Sequence, residues 1–136
     1  MSSDRLSFVV AAGEADRLLP VAVLASGAAA MQTDVQIFLT MWGVLALRKG
    51  AGRPPVNATY ADRAEDFWRE IESHRVPTFA EMVGQAKEIG NVRVLACGMS
   101  MDLFGLSLAD LDDVVDGVEG VAGFLESAED GRIIFV

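Results

Sequence analysis

The stretch that decides the fold is Asn91-Val-Arg-Val-Leu-Ala-Cys-Gly-Met-Ser-Met-Asp102. Its first half, residues 91–96, is a short run rich in Val and Leu, which is typical of a buried β-strand. Cys97 and Gly98 follow at once, and the pattern indicates the start of a helical turn. A buried strand that leads directly into a helix is the repeating unit of a parallel α/β sheet.

Strand and helix patterns alternate on both sides of this stretch. The alternation predicts a mostly parallel sheet of about five strands, with helices on both faces and right-handed connections. The 136 residues are expected to form one domain, 1–136, because two halves would each be too small for a good core. Strands are predicted over 6–12, 35–41, 91–96 and 133–136, with a short additional one near Val114–Val115. Helices are predicted from 14 to about 32 and over 42–47, 61–73, 79–89 and 118–129.

Two of these helices carry more detailed predictions. Thr78 and Glu81 have the spacing of a capping box, in which each side chain bonds the other residue's backbone N–H, and Gly90 should end that helix. In the helix predicted over 118–129, the spacing places Val121, Phe124 and Leu125 inward.

Composition excludes several classes of protein. Hydrophobic residues make up 51% of the chain and the mean hydropathy is +0.32, which excludes a disordered chain. The net charge of −9 disfavours nucleic acid as a partner. A single cysteine forbids an intramolecular disulfide and favours a reducing, cytoplasmic compartment. With one His and one Cys, a zinc site of the usual kind cannot be built, so we expect no metal and no cofactor.

Two apolar runs, 18–31 and 35–47, are each shorter than the roughly 20 residues that a membrane span requires. No secretory signal is visible, because the first 17 residues carry acidic side chains and no basic segment. We therefore expect no membrane association. The helix at 18–31 and the segment Phe38–Leu47 are too apolar to face water, which predicts a symmetric homo-oligomer.

In an open parallel sheet the functional site lies beyond the carboxyl ends of the strands. That rule selects the segments 13–16, 40–42 and 97–102. No glycine-rich nucleotide motif occurs, and Ser100 does not lie in the turn that serine hydrolases use, so neither nucleotide binding nor Ser-His-Asp hydrolysis is supported. His74 falls in an irregular region and is expected to be a solvated loop residue.

Cys97 is the informative residue of the third segment. Backbone N–H groups of residues 98–101 could point at its sulfur and stabilise a thiolate, whereas the carboxylate of Asp102 would oppose it. The alternative is that Cys97 is a small buried apolar side chain, which is an equally common fate for a free cysteine.

Further residues complete a candidate pocket around Cys97. Phe38 and Trp42 could form its walls or belong to the core. Met99 and Met101 could form an apolar rim or fill gaps in the core. The pocket is completed by Gly98, Ser100 and Asp102. Arg48 and Lys49 could attract an anionic sulfur donor such as thiosulfate or simply complement a helix end.

Three segments, in the right order along the chain, and the C-terminal tail also resemble one known family. The segment Ala96-Cys-Gly-Met-Ser-Met-Asp102 with Gly105-Leu106 resembles the cysteine segment of the DsrE/DsrF-like family. The segments 25–31 and 37–49, and the tail 116–125, resemble its DsrE-like subgroup, sometimes labelled peroxiredoxin-family, although no peroxidase motif is present. The resemblance covers residues 6–49 and 92–136, and residues 50–90 match poorly.

The resemblance implies a three-layer α/β domain, a cytoplasmic homo-oligomer, and a cysteine that carries sulfur as a persulfide. Only Cys97 matches that cysteine. The leading hypothesis is a sulfur carrier that takes sulfane sulfur from a small molecule or a carrier protein and passes it to a partner thiol. The alternative is a non-catalytic oligomeric binding or regulatory module with a structural Cys97. An exposed Cys97 in a concave pocket favours the first hypothesis, and a buried, unreactive one favours the second.

Overall fold

A computed structural model describes residues 5–136. Its strands are β1 (Leu6–Val10), β2 (Val35–Leu39), β3 (Val92–Cys97), β4 (Gly117–Glu119) and β5 (Arg132–Phe135). Its helices are α1 (Ala15–Ala30), α2 (Trp42–Ala46), α3 (Ala64–Ser73), α4 (Phe79–Ile89), α5 (Gly98–Phe104) and α6 (Val121–Ser127). Short 3-10 turns cover Ala58–Arg63 and Leu108–Asp110.

The five strands form one parallel sheet in the order β4-β3-β2-β1-β5. The chain steps from β1 to β4 in one direction and then returns through α6 to the opposite edge. This arrangement confirms the predicted α/β sandwich with a mostly parallel sheet of about five strands.

Side chains alternate between the two faces of the sheet, and each face has its own buried cluster. On one face, residues such as Phe8, Ile37 and Val94 pack with α1 and α4 in the main core. On the other face, a smaller cluster joins strand residues to α6; it contains Phe38, Leu95, Cys97, Phe124 and Ala128. Helices therefore cover both faces, and Cys97 belongs to the face that α6 covers.

Small residues allow α1 and the end of α4 to approach closely. Ala22, Ala25 and Ala29 of α1 are all fully buried. Immediately after α4, a Cβ added to Gly90 would lie 2.8 Å from the Cβ of Ala29. A larger side chain at Ala29 or Gly90 would separate the two helices, which explains why both of these positions carry small residues.

The capping box predicted at the start of α4 is confirmed. The Thr78 Oγ1 accepts a hydrogen bond from the Glu81 N–H at 3.1 Å, and the Glu81 Oε1 accepts one from the Thr78 N–H at 2.9 Å. Gly90 ends the helix, as expected. The short helix predicted over 42–47 is also present, as α2.

Two predictions for the last third of the chain are wrong. Val114 and Val115 are buried but not in a strand; the extra strand is β4, at Gly117–Glu119. Because Gly117 pairs with Leu95 in the sheet, the last helix starts only at Val121 and has seven residues. So short a helix presents only a narrow stripe to the sheet. Phe124 fills that stripe, whereas Val121 and Leu125, predicted inward, are exposed.

The expectation about the apolar segment Phe38–Leu47 is corrected in part. Phe38, Val44 and Leu47 are buried within the chain, so they need no second subunit to cover them. Trp42 remains exposed. Across residues 5–136, none of the helices combines the length and apolar character that crossing a membrane requires.

Candidate functional site

Cys97 lies at the junction between a strand and a helix. It is the last residue of β3 and the N-cap residue of α5, with an extended backbone of φ −66° and ψ 121°. Only 6% of the residue is exposed. Its neighbours in the smaller cluster show that its side chain points to the α6 side of the sheet.

Two opposing effects act on the thiol. Burial raises the pKa of Cys97, because a thiolate is costly to remove from water. Four interactions with the thiolate lower it: the backbone N–H groups of Ser100 and Met99 and the side-chain hydroxyls of Ser100 and Thr40. The hydrogen bonds prevail, and the pKa of Cys97 lies below the ordinary value for a thiol. Ser100 and Met99 lie within the range 98–101 whose N–H groups were predicted to stabilise a thiolate, but the Cys97 side chain accepts no capping hydrogen bond from the backbone of α5.

The hydroxyl groups form a small buried network where β2 and β3 end. Ser100 is fully buried, and its Oγ lies 3.0 Å from the Oγ1 of Thr40. The same Oγ accepts a hydrogen bond from the Met41 N–H at 2.8 Å. Met41 has a positive φ of 48°, an unusual backbone conformation for a residue with a side chain. Since its Oγ is already an acceptor, Ser100 keeps its own hydrogen to donate to the sulfur or to Thr40.

The other predicted pocket residues are spread over different surroundings. Phe38 shares the buried cluster of Cys97 and stacks on Phe124, with ring centroids 4.6 Å apart. Met101 faces the main core, as the core interpretation of that residue expected, and it forms no rim around the sulfur. Met99 is exposed on α5. Trp42 is exposed and contacts Phe104, with ring centroids 5.9 Å apart.

The last two predicted pocket residues, Gly98 and Asp102, are not among the groups that act on the Cys97 thiol. Gly98 is half-buried, and a Cβ added to it would lie 3.7 Å from the backbone oxygen of Glu119. Asp102 is exposed on α5. The groups that lower the pKa of Cys97 are donors from Ser100, Met99 and Thr40, and the opposing effect expected from the Asp102 carboxylate is not among its causes.

Two residues near Cys97 were not singled out from the sequence. Thr40 lies at the end of β2, one of the three strand ends that the sheet rule selected. Glu119 is the in-register partner of Cys97 on β4, and its Oε1 is buried without a hydrogen-bond partner in the described part of the chain. Its carboxyl group packs against α6, where a Cβ on Gly123 would come within 3.1 Å of it. Because the sequence predicts a helix from residue 118, it gives no sign that Glu119 pairs with Cys97 in the sheet.

Two cavities lie elsewhere. One, of about 490 Å³, is lined by residues of α1, α3, the segment 46–54 and the start of α4. A second, of about 300 Å³, is lined by Gly13, Trp42, Arg48 and neighbours in the segment 51–55. Cys97 lines neither cavity. Within residues 5–136 no group of three or more potential metal ligands occurs.

The geometry of Cys97 therefore combines features of both hypotheses. Low exposure and separation from the two cavities are what a structural cysteine would show. The lowered pKa and the neighbouring hydroxyl network of Ser100 and Thr40 are what a reactive cysteine would show.

Comparison with known proteins gives consistent matches over the whole chain. The model of the DsrE/DsrF/DrsH-like family matches residues 2–67 and 60–136. The chain is 31% identical to the uncharacterized protein YrkE of Bacillus subtilis, covering 95% of this chain and 94% of that protein. It is 27% identical to the sulfur carrier protein DsrE2 of Allochromatium vinosum, covering 98% of each.

Two solved structures share the fold. One is MTH1491 of Methanobacterium thermoautotrophicum, a protein of unknown function, with a TM-score of 0.62 and 18% identity over 98% of this chain and 99% of that one. The other is the ychN protein of E. coli, with a TM-score of 0.62 and 16% identity over the same shares. Because the family model matches nearly every residue of the chain, the chain belongs to the DsrE/DsrF/DrsH-like family.

Proposed function

We propose that this protein is a sulfur carrier that holds sulfane sulfur as a persulfide on Cys97 and passes it to a thiol on a partner. The observation that carries the proposal is the position of the chain's single thiol at a strand–helix junction, where Ser100, Met99 and Thr40 lower its pKa. The chain belongs to a family in which one relative is named a sulfur carrier, and this membership supports the same proposal.

The loading step needs a thiolate and a donor with a sulfane sulfur. With thiosulfate, the Cys97 thiolate attacks the outer sulfur, and a bond forms between Sγ and that atom. The sulfur–sulfur bond of thiosulfate breaks, and sulfite leaves with the electron pair. The product is the deprotonated persulfide of Cys97, and the charge balances without any added oxidant or reductant.

The unloading step reverses the roles. A partner thiolate attacks the outer sulfur of the persulfide, a new persulfide forms on the partner, and Cys97 leaves as a thiolate. A leaving group of lower pKa departs faster in such exchange reactions. The donors around Cys97 therefore assist both steps, since the same thiolate is the nucleophile in one and the leaving group in the other.

Mass spectrometry of the intact protein tests loading. After incubation with thiosulfate or polysulfide, the protein should gain the mass of added sulfur, and Cys97→Ser should remain folded and gain none. Adducts on Cys97→Ser would contradict the carrier proposal, as would an unmodified native protein whose thiol reacts normally once urea has unfolded it. The latter result would favour the non-catalytic module with a structural cysteine.

Release is tested separately. Each chain has no second thiol to discharge the persulfide, so purified protein with donor alone should show no efficient turnover. An added thiol or partner protein should restore release. Because the chain carries a net charge of −9, we expect the partner's docking surface to be basic and transfer to slow as salt is added. Rapid turnover without an acceptor thiol would show a self-contained enzyme instead.

A further inference from the structure

The cavity of about 490 Å³ is lined largely by residues 50–80, which belong to the region 50–90 that resembles the family poorly. We call it the α3 cavity. Its volume is within the range of roughly 300–1,000 Å³ that is typical of small-molecule sites. Much of its wall is apolar, contributed by α1, α3 and the start of α4; the larger apolar side chains are Leu18, Leu19, Phe67, Trp68, Ile71 and Phe79.

Basic residues from one short segment line the same cavity. Arg48, Lys49 and Arg53 supply three of the chain's 11 basic residues, in a protein with a net charge of −9. Arg53 is already engaged: its guanidinium lies 4.3 Å from the centre of the Trp68 ring, and its Nη1 lies 3.3 Å from the Oε1 of Glu72. It thereby links the segment 46–54 to α3.

The other charged side chains around the cavity are Lys49, Asp112 and Arg48, and they differ in whether they have a charged or hydrogen-bonding partner. Lys49 pairs with the exposed Asp113 at 3.5 Å. The Asp112 Oδ1 accepts a hydrogen bond from the Val114 N–H at 2.8 Å. The Asp112 carboxylate therefore stabilises the turn in which it lies. Arg48 donates from its Nε to the Leu45 carbonyl oxygen at 3.2 Å, and within residues 5–136 no carboxylate pairs with it.

We propose that the α3 cavity binds a small organic anion, with its carboxylate or sulfonate group at Arg48 and its apolar body between α1 and α3. An apolar wall with one unpaired cation at its edge complements such an amphipathic molecule. An acidic protein repels anions at long range, and this local basic cluster opposes that repulsion. Cys97 and the residues that act on its thiol do not line the cavity, so the proposal is independent of sulfur transfer. Arg48 and Lys49, which the sequence offered as residues that attract an anionic sulfur donor, line this cavity instead.

Anilinonaphthalene sulfonate, a fluorescent dye with a sulfonate group and an apolar body, is a suitable probe for the full-length protein. It should bind saturably with one site per chain, and octanoate should displace it whereas inorganic phosphate should not. The chain has two tryptophans, one lining each cavity. Because Trp68 lies in the wall of the α3 cavity, energy transfer to the bound dye should fall more in Trp68→Phe than in Trp42→Phe.

Three variants test the two halves of the site. Leu19→Trp, which fills the cavity from a half-buried position, should abolish dye binding; Ile71→Trp serves the same purpose if the first variant does not fold. Arg48→Gln should weaken the sulfonate dye about tenfold, the scale of one charge-assisted hydrogen bond. It should leave binding of the neutral probe phenylnaphthylamine unchanged.

The controls separate this site from other surfaces and from Cys97. Arg93→Gln removes an exposed arginine on β3 and should leave dye binding unchanged. Cys97→Ser should bind the dye normally even if sulfur loading is lost. The proposal is overturned if binding is not saturable, if folded cavity-filling variants bind as well as the native protein, or if Arg48→Gln and Arg93→Gln have equal effects.

Discussion

At the scale of single residues, the reactivity of Cys97 depends on a balance between burial and hydrogen bonding. Burial alone would leave a small apolar thiol at the end of a strand. Ser100 changes that outcome because its hydroxyl is held by the Met41 N–H at 2.8 Å and lies 3.0 Å from Thr40. Its own hydrogen can then be donated to the sulfur or to Thr40. The effect depends on two strand ends meeting, since Thr40 follows β2 and Cys97 ends β3.

Removing the Ser100 hydroxyl should make the thiol less acidic. In Ser100→Ala, alkylation of Cys97 by iodoacetamide at neutral pH should slow about tenfold, which corresponds to the loss of one hydrogen bond to a charged group. The pH profile of the rate should move to higher pH, because a higher pKa delays formation of the thiolate. Thr40→Val should cause a shift in the same direction. Rates can be read by intact mass, since no other thiol reacts.

Ser107→Ala provides the matched control for this experiment. The Ser107 hydroxyl bonds the exposed Asp110 at 3.1 Å and is not among the groups that act on Cys97. Its pH profile should overlay that of the native protein. An unchanged profile in folded Ser100→Ala would show that the hydroxyl network does not govern the thiol.

The sequence predicts some site residues better than others for a physical reason. The position of Cys97 and its backbone donors follow from a local pattern, a strand that runs directly into a helix. The contributions of Thr40 and Glu119 depend on register between strands, where Leu39 lies beside Ala96 and Cys97 beside Glu119. The side chain of Met101 could not be assigned to the rim or to the core from the sequence either. A helix places neighbouring residues on different sides, and only the packing decides which side faces the core.

At the scale of elements, local chemistry made some boundaries predictable. The start of α4 followed from Thr78 and Glu81, whose bonds are made within the element itself. The strand β4 has only three residues and exists through its pairing with β3, and its local pattern by itself predicts the start of a helix. For the core strands the sequence predicts the positions but not all of the ends. Strands β1 and β2 end earlier than their apolar runs suggest.

The capping box of α4 gives a prediction about stability. Thr78→Ala leaves the Glu81 N–H without its side-chain acceptor and should lower the free energy of unfolding by about 1 kcal/mol. For a chain of this size the melting temperature should fall by roughly 3–6 °C. Urea denaturation and thermal unfolding followed by circular dichroism would measure both. Thr59→Ala is the control, because Thr59 contributes its backbone N–H, at 3.0 Å from the Asn57 Oδ1, to its turn. Equal losses in the two variants would contradict a specific role for the cap.

At the scale of the whole molecule, the two faces of the sheet are covered unequally. The main core lies under α1 and α4, whereas the seven-residue α6 alone packs into the smaller cluster. Ile133 and Phe135 of β5 pair with Ser7 and Val9, on the same side of the sheet as that cluster. Phe135 is 73% exposed, and Val121 and Leu125 of α6 are 59% and 52% exposed. A parallel sheet normally has both faces buried, so this side is the one that needs a further layer.

The prediction of a homo-oligomer can therefore be assigned to a face. We expect two copies to meet through the exposed residues of α6 and β5 in a symmetric interface, because each copy would then bury its apolar patch against the same patch of the other. The double substitution Leu125→Glu with Phe135→Glu should convert the assembly to monomers, since each copy would bury two unpaired charges. Light scattering at micromolar concentration would measure the mass.

A matched change on the opposite layer decides between the two apolar surfaces. Val23→Glu alters an exposed residue of α1, the helix that the apolar sequence pattern first favoured as an interface. It should leave the assembly intact if α6 and β5 form the contact, and it should dissociate the assembly if α1 does. A native protein that is already monomeric would contradict both arrangements. Because Cys97 lies in the cluster beneath α6, alkylation rates of assembled and monomeric protein would also show whether the second copy limits access to the thiol.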